Sequence, residues 1–136
     1  MQAMKDCVAI VTGAAHQQGI GFATCLMLAE AGAKVVLTDL PGKDGSAPEL
    51  DARAAEIIAA GGDAMAVAVD VTDRQQIAVC VSVVHEHYGR IDSLFNNAGS
   101  PIGVGPFLEM TDQQWDMSYQ VNLKGTVNFC QAVLPV

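Results

Sequence analysis

The sequence predicts an α/β protein built on a doubly wound parallel sheet, and two observations carry that prediction. Short continuous apolar runs alternate with longer stretches of helical period, the pattern of parallel βαβ units rather than of meanders or bundles. Each apolar run also stops at polar residues or glycine, where the carboxyl ends of parallel strands face a ligand. With 136 residues, 51% of them hydrophobic, the chain has the size of one compact domain, expected to span residues 1–136.

The first strand is expected at Cys7–Val11, ending at Thr12-Gly13, and the second at Lys34–Leu37, ending at Thr38-Asp39. Both have the apolar character of strands buried on two faces. Between them Ile20, Ala23, Met27 and Ala31 recur with helical spacing before a stop at Gly32, and they are the expected sheet-facing stripe of the first helix. A loop rich in Gly, Pro and Ser, Pro41–Pro48, leads to a second helix over Glu49–Ala60, closed by Gly61-Gly62. The third strand, Met65–Val69, ends at Asp70. Thr72-x-x-Gln75 reads as a capping box opening the third helix, which carries Ile77, Cys80, Val81, Val84 and Tyr88 on one face before Gly89.

The fourth strand, Ile91–Phe95, ends at Asn96-Asn97, and a last helix opens on Thr111-x-x-Gln114 and grows more apolar towards Pro135. Right-handed crossovers place the first two helices on one face and let the fourth strand start the other half of the sheet. That strand would be an apolar edge, so the chain reads as truncated after the fourth strand and its following helix.

Seven Lys and Arg against fifteen Asp and Glu give a net charge of −8, with the cations scattered from Lys5 to Lys124. This distribution argues against nucleic acid and anionic membrane surfaces as partners. No segment approaches the roughly 18 apolar residues of a membrane helix. Met1–Asp6 lacks the apolar run of a signal peptide, so a cytoplasmic location is expected. Cys7, Cys25, Cys80 and Cys130 lie far apart, with no Cys-x-x-Cys pair, and read as reduced, packed thiols with no metal site. His85 and His87, in the last turn of a helix, read as solvated residues favoured by the helix dipole.

The segment Thr12-Gly13-Ala14-Ala15-His16-Gln17-Gln18-Gly19-Ile20-Gly21 follows a buried strand and opens a helix, the context that a dinucleotide fingerprint requires. Gly13 permits a tight turn, Gly19 lets the main chain approach a pyrophosphate, and Gly21 lets the helix pack closely on the strand. The helix N-terminus adds free N–H groups and a partial positive charge. Glycines also simply end strands, but Asp39 lies 20 residues beyond Gly19, where a carboxylate accepts both ribose hydroxyls. A 2′-phosphate would meet a like charge there, and the nearest following cation is Lys43. NAD is therefore expected over NADP.

With Gly13, Gly19, Gly21, Asp39, Asp70 and Asn96-Asn97-Ala98-Gly99 in this order, the chain resembles the N-terminal half of a short-chain dehydrogenase/reductase, a Rossmann-like fold, over essentially its whole length. The resemblance implies an NAD-dependent oxidoreductase that moves a hydride between nicotinamide and an alcohol or ketone, with this chain as the cofactor-binding portion. It implies cofactor contacts at Gly13, Gln18, Gly19, Ile20 and Gly21 in the glycine turn, and at Asp39 and Leu40 after the second strand. Asp70, by its side chain, and Val71, by its main chain, would bracket the adenine. Asn97, Ala98 and Gly99 would line the nicotinamide ribose, and Asn96 would tie the central strands together.

Asn122, within Val121-Asn122-Leu123-Lys124-Gly125, matches the catalytic asparagine that holds a relay water. A kinked helix is the structural reading of the same residue. Ser100–Phe107 would form one wall of the substrate pocket, with Ile102, Val104 and Phe107 as its apolar part. The apolar content of Val121–Val133 suits packing against a second subunit, so a homo-oligomer is implied.

Two departures from the family stand out. Five residues separate Gly13 from Gly19 where the family has three, which leaves the phosphate contacts open and offers His16, Gln17 and Gln18 as extra donors. The family's Tyr-x-x-x-Lys does not occur, because Asp92 lies four residues after Tyr88 and Leu123 four after Tyr119. The matching serine is also expected beyond these residues, so the 136 residues alone are expected not to turn over. The other readings are a non-catalytic dinucleotide-binding or interaction module and an FMN-binding protein of the flavodoxin class. Asp39 and the Asn-Asn-Ala-Gly run speak against FMN.

Overall fold

A computed structural model describes residues 3–136; Met1 and Gln2, the start of the Met1–Asp6 segment, lie outside the described residues. Strands β1 (Val8–Thr12), β2 (Lys34–Asp39), β3 (Asp63–Ala68) and β4 (Ser93–Phe95) form a parallel sheet of order β3-β2-β1-β4. In register, Ile10 lies beside Val36 on one side and beside Leu94 on the other. The chain therefore steps outwards from β1 to β3 and then returns across β1. That reversal opens a crevice at the carboxyl ends of β1 and β4, the switch point at which such sheets bind ligands.

Helices α1 (Ile20–Glu30) and α2 (Pro48–Ala59) cover one face of the sheet, burying Phe22, Cys25, Leu50 and Ile57 against Val11, Val35 and Leu37. On the other face, α3 (Arg74–Tyr88) and α5 (Gly125–Val133) bury Ile77, Cys80, Val84 and Phe129 against Val8, Ile10 and Val36. Successive strand residues point to opposite faces, so with both faces covered Val8–Val11 and Val35–Leu37 must be apolar throughout. Cys25 and Cys80 are consequently buried, and desolvation pushes both thiols up to about 12. The four cysteines are free thiols.

Three local expectations are corrected. The stripe Ile20, Ala23, Met27 does not face the sheet: Ile20 is 78% exposed and Met27 70%, and Phe22, Cys25 and Ala29 turn inwards instead. Helix α1 is apolar nearly all round, so periodicity cannot choose its face. Gly21 sets the rotation, because a Cβ at that position would run into the Gly13 carbonyl. The cap of α3 is Asp73, not Thr72: its carboxylate accepts the N–H groups of Gln75 at 2.9 Å and Gln76 at 3.1 Å. Those bonds, Gln76 first, hold the Asp73 carboxyl below the usual carboxylate range, while the Thr72 hydroxyl donates back to Asp70 at 2.7 Å.

The third correction concerns the last helix, which is three consecutive pieces. The Thr111–Gln114 capping box opens α4 (Asp112–Ser118) as expected, a π-helical segment follows over Tyr119–Lys124, and α5 continues from it. A π turn inserts an extra residue into the hydrogen-bond ladder and is often found at functional sites. Among the described residues, no helix is long and apolar enough to cross a membrane.

Candidate functional site

A cleft of about 1020 Å³ opens across the carboxyl ends of all four strands. Its floor is the turn after β1. Gly13 takes φ +70, a region closed to most side chains, and a Cβ there would come within 2.8 Å of the Ala98 Cα. From this turn the chain rises through Ala14–Gln18 to Gly19 at the N-cap of α1. The Gly19 N–H donates to the His16 carbonyl at 2.9 Å, and the first bond along α1 runs from the Ala23 N–H to the Gly19 carbonyl at 3.1 Å. The N–H groups of Ile20, Gly21 and Phe22 precede it, and they give this end of the helix its affinity for anions.

The acid at the end of β2 is built into the same turn. One oxygen of Asp39 accepts the Ala15 N–H at 2.8 Å and the other accepts its neighbour Leu40 N–H at 2.8 Å. The Ala14 N–H is held by the Thr38 carbonyl at 3.0 Å. The longer loop is thus pinned to β2 through two consecutive amides, and each Asp39 oxygen keeps acceptor capacity.

Thr12 and Asn97 join β1 to β4, a junction the sequence did not reveal in full. The buried Thr12 hydroxyl accepts the N–H groups of Asn97 at 3.0 Å and Ala98 at 2.9 Å. The Asn97 amide donates to the carbonyls of Thr12 at 2.9 Å and Gly13 at 3.0 Å. The expectation that Asn96 ties the central strands is therefore corrected, for Asn96 points the other way and donates to Cys130 Sγ at 3.4 Å. Adjacent strand-end residues face opposite sides of the sheet, so one reaches the cleft and the other α5.

At the end of β3, Asp70 Oδ1 accepts both the Thr72 N–H at 2.8 Å and the Thr72 hydroxyl. The Val71 carbonyl accepts the Asn128 amide at 3.2 Å. Asn122 makes the hydrogen bonds that a mid-helix asparagine requires: its oxygen accepts the Ser100 N–H at 2.9 Å, and its nitrogen donates to the Ser100 carbonyl and the Ser118 hydroxyl, each at 3.1 Å. It sits in the π turn and fastens the loop after β4 to that turn.

Of the expected contacts, Gly13, Gly19, Ile20, Asp39 and Leu40 line the cleft, as do Asp70, Val71, Asn97, Ala98 and Gly99. Gly21 lies behind the wall against Gly13, while Gln18 is exposed and Asn122 acts at one remove, neither of them a lining residue. The proposed apolar wall is only half right. Ser100 and Ile102 line the cleft, whereas Val104 is 84% exposed and Phe107 packs edge-on against Trp115 at 5.7 Å. The opposite wall is a missed set, Gln113, Asp116, Met117, Gln120 and Val121, whose spacing of three, one, three and one marks one helical face. His16 and Thr72 also line the cleft.

The short chain dehydrogenase family profile matches residues 7–136. The chain is 40% identical over 128 residues to the 3-oxoacyl-(acyl-carrier-protein) reductase FabG of Thermotoga maritima, covering 94% of this chain and 49% of that protein. It is 38% identical over 127 residues to the oxidoreductase UcpA of Escherichia coli K12, covering 93% and 45%. Among solved structures, a metagenomic short-chain oxidoreductase in complex with NADP superposes with a TM-score of 0.84 at 38% identity, covering 98% of this chain and 57% of that one. The chain spans about half the length of the curated relatives it matches. Glycine turn, strand-end acid and parallel order arrive together with these likenesses, and the chain belongs to the short-chain dehydrogenase family.

Proposed function

We propose that this chain forms the NAD-binding portion of an oxidoreductase acting on a small-molecule alcohol or ketone. The observation that carries the reading is Asp39, whose two oxygens are oriented by main-chain N–H groups at the rim of the cleft. An ionised carboxylate so placed accepts the two ribose hydroxyls of NAD and repels the 2′-phosphate of NADP. The residues fit a dinucleotide on structural grounds as well, with a side-chain-free turn at Gly13 and helix N–H groups at Ile20 and Gly21 for the diphosphate. Asp70 and Val71 would bracket the adenine, and Asn97, Ala98 and Gly99, which line the same cleft, would face the nicotinamide ribose.

Bound nicotinamide supplies the hydride acceptor or donor. The chain's own residues orient it and hold the substrate loop. Asn122 fastens Ser100 and uses both of its amide hydrogens on Ser100 and Ser118, so a relay water would be held by an acceptor, the side-chain oxygen or the main-chain carbonyl, which the Thr126 hydroxyl meets at 3.4 Å. The family's serine, tyrosine and lysine would come from outside these residues. A homo-oligomer is the proposed working form, and the cytoplasm its location.

Isothermal titration of the purified protein with NAD and NADP tests the reading. NAD binding at least about tenfold tighter than NADP is the expected result. Equal or reversed affinities would overturn the ribose assignment, and absence of binding to both would leave a module of another kind.

A further inference from the structure

We propose that His16 is the cationic contact for the cofactor's diphosphate, so that its protonation strengthens dinucleotide binding. The proposal rests on the dinucleotide reading above and adds a residue to it. Its starting point is the charge of the cleft. Three carboxylates line it, Asp39 at the end of β2, Asp70 after β3 and Asp116 on α4, and no lysine or arginine is among the described lining residues. A diphosphate carries two negative charges into that field. Helix N–H groups answer part of it. His16 is the one lining side chain able to become a cation.

The neighbouring cations are turned elsewhere. Arg53 on α2 lies over the Phe22 ring at 5.3 Å and pairs with Glu56 at 3.1 Å. Arg74, at the start of α3, donates to Gln131 at 2.9 Å. Lys43, in the loop after β2, lies outside the lining. The other two histidines, His85 and His87, sit in the last turn of α3, which is at the opposite end of the sheet because a crossover helix runs antiparallel to its strands.

The bonds of the turn place His16 in the cleft lining. Ala14 and Ala15 are committed to β2 through Thr38 and Asp39, and the chain then closes through the bond between the His16 carbonyl and the Gly19 N–H. Between these two anchors the exposed His16 side chain is held at the mouth of α1. Its backbone carbonyl makes the structural contact, so the side chain can be exchanged without loss of the turn. Imidazole is the side chain whose charge changes between about pH 5 and 8, whereas the charge of a dinucleotide's diphosphate does not change there. The sign follows: binding is tighter where His16 carries its proton, at the low-pH end.

The test is titration of the purified protein and its H16Q and H16K variants with NAD, NADP, adenosine and inorganic pyrophosphate at about pH 6 and about pH 8.5. The expected result is an NAD affinity that falls about tenfold from the lower to the higher pH in the unchanged protein. H16Q should show the weak affinity at both values, H16K the tight affinity at both, and adenosine no dependence. NAD binding that ignores both pH and H16Q would remove the His16 contact and leave the dinucleotide reading intact. A loss confined to NADP would move the contact to the 2′-phosphate and overturn the proposal as stated. Failure to bind either dinucleotide, with pyrophosphate still bound in a pH- and His16-dependent way, would remove the dinucleotide reading and keep the anion contact. No binding of any probe would remove both.

Discussion

Asp39 and Ala15 are joined by a hydrogen bond of 2.8 Å from the Ala15 N–H to the carboxylate, so the acid that ends β2 also holds the loop that opens α1. One side chain thereby shapes the glycine turn and the rim of the cleft at the end of β2 together. Asp39→Ala is expected to weaken NAD binding by about 10- to 100-fold, the worth of hydrogen bonds to a charged group. NADP should weaken less, because the repulsion disappears with the carboxylate. Titration of both cofactors reads the ratio, and an unchanged ratio would sink the ribose assignment.

Asn97 spans β4 and the β1 turn with two amide hydrogen bonds to carbonyls. Replacing it with alanine strips both carbonyls of their partner and is expected to cost about 2 kcal/mol. Urea denaturation should show a lower midpoint with an unchanged slope. A variant as stable as the parent would mean that Thr12 alone holds the junction.

Gly21 has no room for a methyl group, since a Cβ would meet the Gly13 carbonyl and come 2.6 Å from the Asn97 amide nitrogen. Gly21→Ala should therefore lose about 3 kcal/mol or more. The neighbouring Ala23→Ser, on the exposed side of α1, should change stability by less than about 0.5 kcal/mol. The pair of melting curves checks that α1 is rotated as described. Equal losses at the two positions would contradict it.

Burial raises the thiols of Cys25 and Cys80 from 9.0 to about 12. A raised folded value means that the fold favours the protonated thiol, so the stabilisation is complete below the unfolded value and is lost as pH rises from about 9 towards 12. Stability should fall over that alkaline window. At pH 8, iodoacetamide should modify the half-buried Cys7 and Cys130 first, with Cys25 and Cys80 protected until urea is added. Mass spectrometry of the alkylated peptides decides this, and early labelling of Cys25 would contradict the packing of α1.

Asn122 holds both main-chain groups of Ser100. Asn122→Ala should speed hydrogen exchange of the Ser100 amide by roughly fivefold, the worth of one hydrogen bond of about 1 kcal/mol. Exchange at the buried strand β1 should not change. A uniform rise would show instead that the variant loosens the whole fold.

Much of this architecture could be read directly from residue order. The apolar runs located all four strands to within a few residues, most closely β1 and β2, because a strand covered on both faces has no freedom to be polar. Asp39 and the Asn-Asn-Ala-Gly run fell at the carboxyl ends of strands, where side chains and main chain face the crevice. Gly13 and Gly21 were legible for a similar reason, since both positions exclude a side chain.

Tertiary structure decided what periodicity leaves degenerate. Helix α1 is apolar nearly all round, so its inward face depends on the Gly21–Gly13 contact and not on spacing within the helix. Asn96 and Asn97 are adjacent and chemically identical, and their division of labour depends on which way each leaves the pleat. Asp73 displaces Thr72 as the cap because it offers one carboxylate to two amides while Thr72 is drawn to Asp70. The wall of Gln113, Asp116 and Gln120 enters the cleft only when α4 and the segment after it are laid across the strand ends. The sequence by itself determined the strands, their ends and the glycine turn, for those follow from what each residue can bury or must leave bare. Rotation, pairing and the second wall were settled by contacts between separate elements, whose energies no pattern within one element contains.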